Sequence, residues 1–398
     1  KRKCYSENSF TLNSTKRGKN RLRTYIALIV IIVIIIVLME ILNMNNNKNI
    51  ILRSSNIELL RIIAMIMIVG HHFVLYGVKQ SYNQNIAGEI FSNGNIINKL
   101  FAAFMLPGGV VGVAIFFLIA GYFGINSDKI SLNKIVIPTV IYSLLGLSIF
   151  YIIDITKIYS ISDNKEILKK SLSSILPIGN EVYWFITIYV ILMLMKPGLN
   201  KIIMTLKNSG LIITILFMLF EYMIARQVLS PVFAIIESSL FYIIGAFMSI
   251  YKDELTGIKK EVFLFIFIIG WGGYVILTNI HFIGSEVVGI CLFGGISAIG
   301  IFQYCSRLNV KNNHVINNLA ILTFDVYLLH EFPLLREFIW GKLLKVQVLF
   351  ENRLFPILAV IEVLLIYFVL TICAAIIRNL IIVHVIDRWN KVRKRMIL

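Results

Sequence analysis

The chain has 398 residues, 58% hydrophobic and 15% charged, and its mean hydropathy is +0.84. A soluble domain carries about 25% charged residues, so composition excludes an ordinary soluble fold. The formal net charge of +17 does not call for a nucleic-acid partner, because the basic residues gather at helix ends and tails, where membrane topology places them.

Long apolar runs recur, each near the roughly 20 residues a helix needs to cross a bilayer. They do not alternate in polarity as barrel strands do. They predict an all-α, polytopic transmembrane helix bundle. The expected spans are 24–42, 57–78, 102–125, 133–155, 182–199, 211–229, 231–251, 262–283, 287–305, 315–333 and 355–380. That makes ten core spans plus one N-terminal hydrophobic helix.

Both ends are basic. Residues 1–23 carry eight Lys or Arg against one Glu, and the tail carries Arg388, Lys391, Arg393, Lys394 and Arg395. Both ends therefore belong on the cytoplasmic side, which ten crossings allow and eleven forbid. With spans two to eleven as the working unit, the inner loops 126–134, 196–210, 252–261 and 306–314 each carry at least two basic residues. Residues 1–43 are accordingly expected to stand apart from a working domain at 44–398. They are either an upstream extension, with Met44 as the native start, or an extra helix that fails to cross.

The polar connection 156–181 contains "KEILKKSLSSIL". Ile167, Leu168, Leu172, Ile175 and Leu176 share one helical face there. This pattern fits a short helix lying on the membrane surface, or else an ordinary solvated loop.

The span at 57–78 reads "IELLRIIAMIMIVGHHFVLYGV". "SNIE" at 55–58 matches a capping box, which would start the helix. Arg61 and His72 are eleven residues apart, so they lie within about 20° of one face and about 16 Å apart along the axis. His71 is rotated by about 100° from that face. A charged residue in a span usually faces the bundle interior or a hydrated cavity.

These residues resemble the R-x10-H motif of the acyltransferase 3 family, ten-span membrane enzymes that modify cell-surface glycans and small molecules. The resemblance covers roughly 52–380. "FFLIAGYFGI" (116–125) is similar to the family's FFxxSGY segment, with Ala120 in place of Ser. "YWFITIYVILMLMKPGLN" (183–200) is similar to its WF-x-Y…P-x-x-N stretch, and "FDVYLLHEFPLL" (324–335) to its Y-L-x-H segment. The family's R-x-x-R pair, associated with acyl-CoA binding, is not reproduced. "DKISLNKIVIP" offers Lys129 and Lys134, with Ser131 where the first Arg would fall.

The resemblance implies transfer of an acyl group, expected to be acetyl, from cytoplasmic acyl-CoA to a hydroxyl of a surface or exported glycan. His72 would be the essential histidine. A hydroxyl needs a base as attack begins, and His has a suitable pKa; alternatively His72 carries the acyl group as a covalent relay. Arg61, near the cytoplasmic end, would grip donor phosphates, with Lys134 and Lys129 as weaker contacts. Tyr327 and His330, three apart on one helix face, together with Trp184 and Tyr122, are candidate substrate-binding residues. Trp184 also fits an interfacial aromatic belt, and Tyr122 fits packing with a polar tip. Glu237, Asp325 and Glu362 lie in apolar runs and require partners.

No metal is expected. HExxH, paired CxxC, Walker A and GxSxG motifs are all missing. Cys4, Cys291, Cys305 and Cys373 lack ligand spacing. Partners are then acyl-CoA, a hydroxyl acceptor and the lipid bilayer. Abundant Ile, Asn and Lys point to a bacterial chain in the cytoplasmic membrane. The competing classes are a flippase or transporter of lipid-linked glycan, for which repeated halves would be expected, and a scaffold in which Arg61 and His72 serve only packing.

Overall fold

Apolar runs that must satisfy their own backbone polar groups in lipid become helices. The computed structural model describes residues 54–79, 95–157, 164–179, 181–206, 209–216, 218, 230–279 and 289–397. Among these every regular element is helical. The hydrophobic stretch 24–42 and the rest of the segment 1–43 lie outside the described residues.

α1 (Ser55–His72) continues through a π-helical segment, Phe73–Lys79. α2 (Ile96–Met105) and α3 (Pro107–Gly124) follow, joined at Leu106. Next come α4 (Asn133–Ile155), α5 (Asn164–Ile175), α6 (Trp184–Thr205) and α7 (Ser230–Ile250). α8 (Lys260–Asn279), α9 (Gly295–Ser306) and α10 (His314–His330) lead to the short α11 (Pro333–Glu337). α12 (Phe355–Ile377) runs through Arg378–Ile382 into α13 (Val383–Ile397).

Among the described residues six helices are long and apolar enough to cross a membrane, or seven if the bent pair His314–His330 and Pro333–Leu343 is one span. Two further expected spans, 231–251 and 287–305, correspond to the shorter apolar helices Ala234–Ile250 and Leu292–Ser306. The expected 211–229 is described only over 211–216 and 218. Side chains such as Ile152, Phe265 and Leu365 point away from the bundle, as lipid-facing positions do.

α3 and α7 cross at very close range. A Cβ at Gly121 would overlap the Tyr242 carbonyl, and one at Gly245 would overlap the Leu118 carbonyl. Each glycine admits the other helix's backbone, a small-residue contact typical of membrane interfaces. Asn200 of α6 locks the loop below them. Its amide donates to Gly124 O at 3.0 Å and Asp128 Oδ1 at 2.8 Å, and its oxygen accepts from the Tyr242 hydroxyl at 2.8 Å.

One local expectation changes, and the open alternative over 156–181 is decided as a helix. The N-cap of α1 is Ser54, which makes no side-chain capping bond, so the expected capping box does not form. The Ser55 hydroxyl instead donates to Asn317 Oδ1 at 2.9 Å and accepts from Asn313 N at 2.9 Å. A distant polar loop outcompetes the local cap and ties the start of α1 to the start of α10. In α5 the serines face inward. Tyr151 and Ser171 hydroxyls lie 3.0 Å apart, and Ser143 donates to Ser174 O at 2.8 Å. The leucines at 168 and 172 are left exposed, the arrangement of a helix whose apolar face meets lipid.

Candidate active site

α1 sits at the centre, packed against α3, α9, α10 and α12. Its apolar positions Leu60, Ala64 and Ile68 are buried. This holds the Arg61–His72 face against neighbouring helices rather than lipid.

At the C-terminal end of α1, His72 meets the end of α10. Its Nδ1 lies 2.9 Å from His330 Nε2 and 3.1 Å from Glu331 Oε1. His330 Nδ1 is 2.7 Å from the Val326 carbonyl. A carbonyl only accepts, so His330 Nδ1 carries the proton and, in the neutral ring, Nε2 holds a lone pair. His72 Nδ1 is then the donor to His330, with the Glu331 carboxylate beside it at ion-pair distance. This tautomer, assigned from the bonding pattern, leaves His72 Nε2 as an unprotonated nitrogen. The His72 side chain is 12% exposed.

A sharp bend makes the cluster. α10 and the following helical segment turn through 77°. Pro333 opens α11 and the buried Phe332 ring lies against Gly146. Glu331 falls in this bend, where its carboxylate reaches His72. Arg336, just beyond, donates from Nη1 to the Tyr76 hydroxyl at 2.7 Å and lies over the Tyr76 ring at 4.5 Å. The Tyr76 and His72 rings lie tilted against each other with centroids 5.2 Å apart. His71 turns aside and donates from Nδ1 to Leu106 O at 2.7 Å.

His72, His330 and Glu331 each offer one ligand atom, all within 4.8 Å of one another. Two imidazoles and one carboxylate form a set that zinc accepts. Two of these atoms, His72 Nδ1 and His330 Nε2, are already hydrogen-bonded to each other.

Toward the other end of α1 lies a cavity of about 450 Å³ between α1, α3, α4, α6, α10 and the α12–α13 continuation. Its charged lining is Arg61, Lys134 and Arg378, with no carboxylate among the lining residues. Arg61 is 3.9 Å from the buried Glu58 carboxylate, and its Nε has no hydrogen-bond partner among the described residues. Deeper in, Ile68, Phe185 and Tyr327 line the cavity. His72 is not itself a lining residue. It lies one helical turn beyond Ile68, and the Tyr327 ring packs edge-on against His330 with centroids 6.1 Å apart. Tyr327 thus touches both the cavity and the histidine cluster.

The structure therefore brings Arg61 and Lys134 together at one cavity, and His72 and His330 together just past it. Lys129 is exposed and does not line the cavity. Trp184 faces outward at 44% exposure, while its neighbour Phe185 lines the wall. Tyr122 packs against Phe302; its segment supplies Phe116 and Ala120 to the wall instead. Sequence reasoning missed Glu331, Tyr76, Arg336 and Arg378. Glu331 directly follows a singled-out histidine and precedes a near proline, a signal of a carboxylate at a bend. Asp325, noted as needing a partner, finds Arg378.

The family model described as an acyltransferase domain, that of the acyltransferase 3 family, matches residues 54–379. No curated protein and no solved structure gives a significant match.

Proposed function

The chain belongs to the acyltransferase 3 family and is a multi-pass membrane acyltransferase; from that premise we propose that it moves an acetyl group from cytoplasmic acyl-CoA to a hydroxyl of a surface or exported glycan. The membrane is the cytoplasmic membrane of a bacterium. The observation that carries this reading is the placement of two features on α1: a cation-lined cavity around Arg61, and a hydrogen-bonded imidazole at His72, one helical turn beyond the lining residue Ile68.

Arg61 and Lys134 take the donor's phosphates at the cytoplasmic mouth. A guanidinium does so bidentately and an ammonium as a point charge. The pantetheine arm follows the apolar wall past Tyr327. His72 lies about 25 Å along the helix from Ser55, toward the outer side. That depth suits an acceptor arriving from outside.

The acceptor oxygen attacks the thioester carbonyl carbon while His72 Nε2 takes its proton. His330 holds the opposite ring nitrogen and fixes the tautomer, and the neighbouring Glu331 carboxylate stabilises the imidazolium as it forms. The tetrahedral adduct expels the thiolate, which takes the proton from His72. The lone pair at Nε2 would equally serve an acyl-histidine relay; ping-pong kinetics or a trapped acyl-histidine would select that route.

The test is genetic and chemical. The gene is deleted, glycan esters are followed by NMR, and wild type or His72→Ala is restored at equal expression. Ester loss rescued only by wild type supports the enzyme. Normal esters with impaired glycan export would replace it with a transporter.

A further inference from the structure

The loop 126–134 offers one cavity cation, Lys134, while Ser131 is exposed. A guanidinium reaches the same cavity from a helix far away in sequence. Arg378, at the end of α12, lines it together with Arg61 and Lys134. Its Nε donates to Asp325 Oδ2 at 2.5 Å. Asp325 is fully buried and is not a lining residue, whereas the Arg378 side chain is 16% exposed. The other carboxylate oxygen, Oδ1, has no hydrogen-bond partner among the described residues.

A carboxylate in a membrane bundle is costly unless paired. Pairing through Nε uses the side of the guanidinium nearest the chain and leaves the Nη1–Nη2 edge for a second partner. That edge can meet a phosphate with two parallel hydrogen bonds. Because Asp325 is withdrawn behind the wall, the cavity surface presents three cations and no anion among the described residues.

Resting on the acyl-CoA reading above, we propose that Arg378, held in place by Asp325, is a phosphate-binding residue of the donor site and supplies the bidentate contact that Ser131 and Lys134 cannot. Arg378 touches the donor; Asp325 is a positioning residue. A donor with a diphosphate and a further ribose phosphate has enough anionic groups to engage all three cations.

The experiment uses the full chain in lipid nanodiscs and measures equilibrium binding of acetyl-CoA and of S-acetylpantetheine, which lacks every phosphate. Wild type is expected to prefer acetyl-CoA. Arg378→Gln should weaken acetyl-CoA binding by ~10-fold or more and leave S-acetylpantetheine unchanged. Arg378→Lys, which keeps the charge beside Asp325 but loses the fork, should fall between. Asp325→Asn should lower the preference for acetyl-CoA, and Asp325→Glu should restore part of it, a pattern that a merely structural carboxylate would not give. If Arg378→Gln fails to fold, the double variant Asp325→Asn/Arg378→Gln removes both charges together and should show the same selective loss.

A phosphate-dependent wild type whose preference survives Arg378→Lys and the double variant overturns this inference and leaves the donor reading standing. A wild type that binds both donors equally, or neither, overturns both.

Discussion

His72 and His330 meet ring to ring from helices 258 positions apart in the chain, Nδ1 to Nε2 at 2.9 Å. Because His330 spends its own Nδ1 proton on Val326 O, this contact sets which nitrogen of His72 is free. The pair acts as a unit, and its members should fail in different ways.

His72→Ala should remove transfer by roughly 10²–10⁴-fold, the usual contribution of a positioned base, with acetyl-CoA affinity unchanged. His330→Ala should lower the rate less, because the Glu331 carboxylate still faces His72 Nδ1 at 3.1 Å. Single-turnover rates in nanodiscs check both. Equal rates in wild type and His72→Ala would remove the imidazole from the chemistry.

Glu331→Gln keeps the shape of the bend and an oxygen near His72, but removes the negative charge that favours an imidazolium. The expected outcome is a reduced turnover number with little change in KM for the donor. A raised KM with unchanged turnover would make Glu331 a binding group instead.

Two imidazoles and a carboxylate within 4.8 Å permit a metal, and the hydrogen-bonded reading makes a distinct forecast. Purified protein should carry no stoichiometric transition metal by elemental analysis, and chelation should leave transfer intact. Loss of activity with chelator, restored by zinc, would recast the cluster as a metal centre.

Gly121→Leu should disrupt the α3–α7 crossing, because the new side chain has backbone in its place. Overpacking costs about 1–3 kcal/mol where neighbours can shift, and two fixed helices have little room. The expected result is a lower thermal midpoint or failure to accumulate in the membrane, read by fluorescence-detected size exclusion. A wild-type midpoint would show that the helices separate freely.

Asn200→Ala should loosen the loop that precedes Lys134. It removes hydrogen bonds to Gly124, Asp128 and Tyr242. Leaving the buried Tyr242 hydroxyl unpaired costs about 1–3 kcal/mol, measurable as a drop in thermal midpoint.

The helices were legible in the chain because lipid imposes a strict rule: about 20 apolar residues, with every backbone bond closed locally. For the same reason the shared face of Arg61 and His72 followed from helical period alone, and α1 keeps both inside the bundle. Local signals misled where a distant group offered a better partner. Ser55 matched a cap, yet the asparagines of 312–317 took its hydroxyl. Trp184 and Tyr122 carried motif positions, but their neighbours Phe185 and Ala120 line the cavity. Only the tertiary structure could bring Glu331 to His72 and Arg378 to Arg61. Those meetings depend on a bend beside Pro333 and on the packing of α10 and α12 against α1, and helical periodicity relates residues a few turns apart but not residues on separate helices.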